Sequence, residues 1–406
     1  MIVVHRKGRI LFLCVLAPEL ILNAGTLYLN SVAYQAATTT DEWNSYIDRT
    51  GPLIEQVKQD KDFFRTVLTG NARFANNDGL LWNVYALESY TSLEKSTTQL
   101  LAKNMGYRYS IKFGMSYGTG ADSVSDALLG VRYLISSEQY GAPYEEVYEE
   151  NGLTVWKNRA EFPIAYLMDE PVLEIDIRNA VPDEEGKYVR ENESEEAYIE
   201  YCIKVPEKGC AYLQDDLSGV TKDWYKGKDT CLEDGMHGVS TVKMILNGKE
   251  QDLSGQRDGV KKLGELTPED QVYVRFYPGE DEAFRGETVA LAVERTDVLE
   301  TYAKMVQAQK VDVRMKKEQD IVMQCTNDAK EDRYLMLSIP YDTGWHVSVD
   351  GEQTEIIEND HQMLIIPVKP GKHSIEIRYI PGGLYMGIFI SVIALGMMIW
   401  KIKKSS

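Results

Sequence analysis

The stretch YLMLSIPYDTGWHVSVDGEQTEIIENDHQMLIIPVKPGKHSIEIRYIPGGLYMGIFISVIALGMMIW, residues 334–400, decides the fold class of this chain. Its first part reads as short strands broken by turns: YLMLSIP, the turn YDTG, WHVSV, DG, QTEII, END, QMLIIPV, PGK and HSIEIRYIP, a meander. The final strand alternates strictly. His373, Ile375, Ile377 and Tyr379 face one way and Ser374, Glu376 and Arg378 the other, as in a half-buried antiparallel sheet. The run then turns uniformly apolar: Leu384 to Trp400 is 17 residues without a charge. With its flanks it is long enough to cross a hydrocarbon core of about 30 Å. Lys401, Lys403 and Lys404 follow, which places the C-terminus in the cytoplasm by the positive-inside rule.

Working outward to the other end, His5, Arg6, Lys7 and Arg9 precede ILFLCVLAPELILNAGTLYL, which fits a signal peptide or a spanning helix. Pro18, Glu19 and Asn23 interrupt the run and it continues to Leu29, features that favour a spanning helix over residues 10–29. A carboxylate at that depth is costly in lipid, so the intramembrane polar residues Glu19 and Asn23 imply neighbouring transmembrane helices. Gly387, Ser391 and Ala394, small residues on one side of the second helix at 384–402, imply the same. Basic residues flank the inner side of both helices, predicting that residues 31–383 lie outside the cytoplasm.

A chain of 406 residues is long enough for two or three cores. Its 44 basic and 63 acidic residues give a net charge of −19, and without the two ends the balance is 38 against 62, or −24. Such a charge repels nucleic acid and anionic lipid, which excludes a DNA- or RNA-binding role. Cys14 falls in the first helix, and Cys202, Cys210, Cys231 and Cys325 lie beyond it. Outside the membrane Cys210 and Cys231 can close the polar loop between them, or all four can be thiols; spacing does not decide.

Between the helices the expected class is α+β. Residues 31–181 mix helix and strand signals: a helix starting near Pro52 with Ile54, Val57 and Phe64 on one side, a strand around Phe64–Leu68, and a capped helix ending in the strand VRYLIS. Beyond Ala165 helix signals nearly vanish. EAYIEYCIKV, PEKG and CAYLQ read as a hairpin, and STVKMIL before NGK as a strand meeting a type I′ turn. Residues 197–383 are accordingly expected to form an antiparallel β-sandwich, jelly-roll-like, beyond a charged linker at 182–197.

No Walker A, GxGxxG, GxSxG or HExxH pattern occurs, so nucleotide chemistry and the common hydrolase plans have no anchor and no cofactor is implied. His237, His346, His361 and His373 lack metal-ligand spacing. Two polar tracts remain. NNDGLLWNVYALESYTSLEKS, residues 76–96, combines amides, carboxylates and hydroxyls with Trp82 and Tyr85, a mix suited to sugar hydroxyls and a sugar face; the substrate-binding candidates are Asn77, Asp78, Asn83, Tyr90 and Ser92. A polar loop leading into an amphipathic helix has the same composition. QDDLSGVTKDWYKGKDTCLEDG, residues 214–235, offers oxygen ligands for calcium but lacks EF-hand spacing, as a solvated loop does.

IPYDTGWHVSVDG and PVKPGKHSIEIRYIPGGLYMGIFIS resemble the closing segment of YfhO-type bacterial membrane proteins, and FFRTV, NNDGLLWN, SYTS, LLGVRYLI and LTVWKNRAEFPIAYL resemble the family's upstream tracts in order. The resemblance implies a GT-C-type glycosyltransferase fold that moves a sugar from a polyprenyl-phosphate carrier to a cell-surface polymer such as lipoteichoic acid. Members are longer, with about a dozen membrane helices ahead of this region and the catalytic carboxylate in their first external loop, so the resemblance makes this chain a C-terminal portion serving acceptor handling or support, with no catalytic residue of its own. The alternative is a non-catalytic, membrane-tethered carbohydrate-binding or scaffolding protein.

Overall fold

The computed structural model describes residues 16–26, 39–74, 77–90, 122–170, 178–185, 187–189, 198–215, 239–253, 260–278, 288–317, 320–357 and 363–405, with single positions and pairs between 98 and 116. Residues 1–52 and 53–406 form two compact units.

In the first unit residues 16–26 are helical and almost wholly exposed. A second helix, Thr40–Val57, begins well before the predicted start at Pro52. Its start is set by a capping box: the Thr39 hydroxyl accepts the Glu42 N–H at 3.2 Å, and the Glu42 carboxylate accepts the Thr39 N–H at 2.8 Å. Pro52, read as the first turn, lies inside the helix instead.

The second unit opens on a four-stranded sheet in the order Arg65–Leu68, Val131–Ser136, Leu153–Asn158, Tyr144–Glu150, parallel only at its first pair. Leu53, Ile54, Val57, Phe64, Leu68, Ile135, Leu153 and Val155 form its core. The helix Ser123–Leu128 feeds the second strand, capped by Asp122, whose carboxylate accepts the Ser125 N–H at 2.9 Å.

The expected hairpin between EAYIEYCIKV and CAYLQ does not form. Tyr198–Ile203 joins a five-stranded sheet with Lys187–Val189, Val272–Pro278, Val239–Leu246 and Lys249–Asp252. Gly209–Asp215 instead joins a four-stranded sheet with Val260–Leu266, Thr288–Glu294 and Arg178–Glu185. The reason lies in the apolar pattern: Tyr201, Ile203 and Val205 from one side and Ala211, Leu266 and Val293 from the other bury into a single cluster. Burial in a shared core outweighs the short PEKG connection. The NGK turn does form, with Asn247 at φ 49° and Gly248 at φ 80°.

The last eighty residues likewise alternate between sheets rather than running as one meander. Val313–Lys317, Asp320–Asn327, Gly371–Tyr379, Trp345–Val349 and Glu352–Thr354 make one sheet. Met363–Val368, Arg333–Pro340 and Ala165–Met168 make another. Leu335, Leu337, Leu364, Ile366, Ile321, Met323, Val347, Ile375 and Ile377 meet in one core drawn from both. The strand Ala165–Met168 thus carries the upstream half of the chain into the final sheet. Arg65 makes a second tie, donating to the Ser338 carbonyl at 2.6 Å and hydroxyl at 2.9 Å.

A helix the sequence reading passed over, Thr296–Gln307, buries Leu299, Ala303 and Val306, a helical spacing sitting among strand signals. Cys202, Cys210 and Cys325 are free thiols; Cys231 and most of the acidic tract 214–235 lie outside the described residues. Beyond Tyr379 the chain enters the helix Leu384–Ser405, of which Leu384–Ile402 is long and apolar enough to cross a membrane and is buried nowhere. The predicted span 10–29 extends at both ends beyond the described residues 16–26.

Candidate functional site

After the strand Arg65–Leu68 the chain makes a 3-10 turn, Gly70–Ala72, and then a five-residue helix, Asp78–Trp82. It returns to the sheet edge where the Thr66 N–H donates to the Tyr85 carbonyl at 2.8 Å. Asp78 is 1% exposed, and its carboxylate accepts the Phe74 N–H at 2.6 Å, closing the loop on itself. Gly79 is required by space, since a Cβ there would sit 2.6 Å from that of Ala86. Asn83 ends the helix in the left-handed region at φ 51°, and its N–H bonds back to Gly79 and Leu80.

Beneath this helix lies Glu88, 6% exposed, with neither carboxylate oxygen in a hydrogen bond of normal geometry. Desolvation pushes its pKa up to about 7, the Asp78 charge adds to the rise, and Arg73 and the Glu88 and Gly79 N–H groups oppose it. The acids therefore point inward while apolar side chains point out: Leu80 is 82% exposed, and Phe74, Leu81 and Tyr85 are exposed beside it.

Of the candidates from sequence, Asn77, Asp78 and Asn83 come together in this loop, with Asn77 half-buried and Asn83 exposed. Tyr90 lies in the short strand Ser89–Tyr90, paired to Met115–Ser116, and Ser92 lies outside the described residues. Glu19 and Asn23 sit exposed on the helical segment 16–26. Sequence reasoning counted the polar groups of the loop without separating inward from outward ones. LLW between two asparagines has the composition of core, and only the tertiary path turns Leu80 and Leu81 outward.

A second buried carboxylate was not singled out at all. Asp126 accepts the Tyr107 hydroxyl at 2.6 Å and also the Tyr144 hydroxyl. Burial raises its pKa to about 6 against the lowering effect of both phenols. One turn away Ser123 donates to the buried Glu294. The partners come from distant positions, so no local pattern announced the cluster.

A third feature is an open cleft of 610 Å³ beside the final sheet, lined by Tyr341, Asp342, Trp345, His346, Gln353 and Glu355 among others. Trp345 is fixed in it by an N–H bond to the Pro340 carbonyl at 3.0 Å and by edge contact with Tyr379. Among the described residues no group of three or more His, Cys, Asp or Glu is arranged to hold a metal ion.

A family profile described as "Bacterial membrane protein YfhO" matches residues 2–189 and 178–391. The chain belongs to the YfhO family. Within it, this YfhO chain is 28% identical over 74 residues to "Uncharacterized protein YfhO" of Bacillus subtilis (strain 168). That match covers 18% of this chain and 9% of the relative's length. Family membership and the apolar helix Leu384–Ile402 together make this YfhO protein membrane-associated.

Proposed function

We propose that this chain is the C-terminal, extracytoplasmic portion of a glycosyltransferase-like membrane protein, and that it handles the acceptor while sugar arrives on a polyprenyl-phosphate carrier. The acceptor class is a cell-surface glycopolymer such as lipoteichoic acid. In this reading two transmembrane helices, 10–29 and 384–402, flank the body of the chain, pack with further membrane helices, and leave the C-terminus in the cytoplasm. The body divides into a mixed subdomain at 31–181 and a β-sandwich at 197–383, with Ala165–Met168 exchanged between them. Support for the sandwich comes from the paired sheets that bury into common clusters.

The observation that carries acceptor handling is the surface of the 74–88 loop. Its carboxylates are turned inward, while Asn83 and the Tyr85 ring are exposed and Asn77 is half-buried, neutral groups suited to bonding sugar hydroxyls and stacking on a sugar face. Asp78 serves as the pin that shapes the loop, and Tyr90 and Ser92 stay in this reading on their residue types alone. The Asn83→Gly variant keeps the left-handed turn and removes the amide. In the full-length protein with its native membrane partners, sugar transfer to the surface polymer is expected to fall about tenfold with unfolding unchanged, on the scale of one lost polar contact. Undiminished transfer would remove the loop from the reading.

The cleft at Trp345 favours a second reading, a membrane-tethered carbohydrate-binding protein without transfer activity, because an aromatic ring among amides and carboxylates suits a glycan. Its test is glycan binding by the protein in detergent. Binding abolished by Gln353→Ala, in a protein that supports no transfer, selects this reading over the first.

A further inference from the structure

The exposed apolar residues of this protein are concentrated. Apart from residues 16–26 and the helix Leu384–Ser405, the large apolar side chains exposed among the described residues are Trp43, Val147 and Met305, plus four in one stretch: Phe74, Leu80, Leu81 and Tyr85. The same stretch is depleted of surface charge. Between residues 73 and 88 the charged side chains are Arg73, Asp78 and Glu88, and both acids are buried, at 1% and 6% exposure. The segment between the apolar ends otherwise carries a net charge of −24, which repels an anionic bilayer, so this loop is a local interruption of that field.

The residue types of the loop also suit lipid. Leu80 and Leu81 are neighbours in the short helix and both exposed, and Tyr85 beyond it packs edge-on against Phe63 at 4.4 Å between ring centres. Exposed aliphatic and aromatic side chains are the kind that enter the headgroup layer. A run of contacts leads from the loop to the membrane helix. Thr66 holds Tyr85; its neighbour Arg65 holds Ser338, two residues before the strand end at Pro340. The Pro340 carbonyl takes the Trp345 N–H, Trp345 packs on Tyr379, and the helix begins at Leu384.

We propose that the Asp78–Trp82 helix is a second contact of this protein with the bilayer surface, its Leu80 and Leu81 side chains sunk below the headgroups. Because the membrane helix already holds the chain at the surface, the loop needs no strong affinity of its own. The inference rests on membrane attachment alone and not on the sugar-transfer reading.

The test uses the full chain in nanodiscs of phosphatidylcholine and phosphatidylglycerol, with Cys14, Cys202 and Cys231 replaced by Ser. The fluorophore NBD is attached at Leu81→Cys or, as the control, at Val147→Cys. The expected result is a blue-shifted emission at position 81 and at least twofold stronger quenching by nitroxide-labelled lipid than at position 147. Emission and quenching equal to the control overturn the proposal. A blue shift without lipid quenching also overturns it, since that means protein covers position 81. Should labelling disturb folding, hydrogen exchange of residues 77–88 in unlabelled protein replaces it: slower exchange in nanodiscs than in detergent, lost in a Leu80→Ser/Leu81→Ser variant, supports lipid contact, and equal exchange in the two media refutes it. Loss of transfer in Asn83→Gly with quenching intact, or the reverse, separates this inference from the acceptor reading.

Discussion

Two buried carboxylates, Asp126 and Glu88, show opposite uses of burial. Asp126 is met by two tyrosine hydroxyls drawn from separate parts of the chain, which oppose its desolvation without cancelling it and join those parts. Glu88 has no such partner; burial raises both groups by a similar amount, Glu88 from 4.5 to about 7 and Asp126 from 3.8 to about 6, so the two differ in their partners rather than in the direction of the shift. The difference teaches that burial by itself does not mark a stabilising group: the first carboxylate organises the fold, and the second is a cost that the loop above it carries.

The contrast breaks first at Asp126→Ala. Leaving two buried phenols without an acceptor costs about 3 kcal/mol, measured by denaturant unfolding of the full chain in detergent. A loss under about 1 kcal/mol would erase the distinction from Glu88. Next, Gly79→Ala forces a Cβ against Ala86 and is expected to cost about 2 kcal/mol and to shift the loop, read by the same unfolding and by faster exchange at residues 77–85.

Glu88→Gln is expected to go the other way at pH 8, raising stability by roughly 1 kcal/mol because no charge is then buried. The pH profile sharpens this. Glu88 has a folded pKa of about 7 against an ordinary value of 4.5, so its folded form binds the proton more tightly. Its contribution is fully present below pH 4.5 and is lost as pH rises through 7. Asp126 acts in the same direction between 3.8 and about 6. The melting temperature should therefore fall from pH 5 to about pH 7, and Glu88→Gln should flatten this fall throughout, leaving below pH 6 only the part that Asp126 supplies. An unchanged slope above pH 6 would show that Glu88 is not the group responsible. The smallest effect is expected at the rim: Leu80→Ser changes stability of the chain in detergent by less than about 0.5 kcal/mol, since the protein itself covers little of the side chain it replaces.

What could be read from sequence follows the range of the forces involved. The apolar run at 384–402, the alternation of Ile375 and Ile377 with Glu376 and Arg378, and the Asn247–Gly248 turn are set by neighbours in the chain, and all are found in the structure. The assignment of strands to sheets is not set that way. Tyr198–Ile203 and Gly209–Asp215 look like hairpin partners over six residues, yet the cluster around Tyr201 and Ala211 separates them into different sheets. The helix Thr296–Gln307 was legible in the spacing of Leu299, Ala303 and Val306 and was hidden by the strands around it. In the loop, residue types pointed to the right segment, while which groups face inward depends on Ala86 and Thr66 folding back beneath it.

The strand Ala165–Met168 has a temporal consequence. Among the described residues its partners are Arg333–Pro340 and, by a bridge at Tyr166, Lys310, so for well over a hundred residues of synthesis neither has yet been made. Arg65 waits in the same way for Ser338, 273 positions downstream. Contacts this distant in sequence close late and slowly. Completion of the cluster that Ala165 and Leu167 enter is thereby deferred until Arg333–Pro340 has been made, which makes the interval before then the window in which a protease or chaperone meets an unfinished protein.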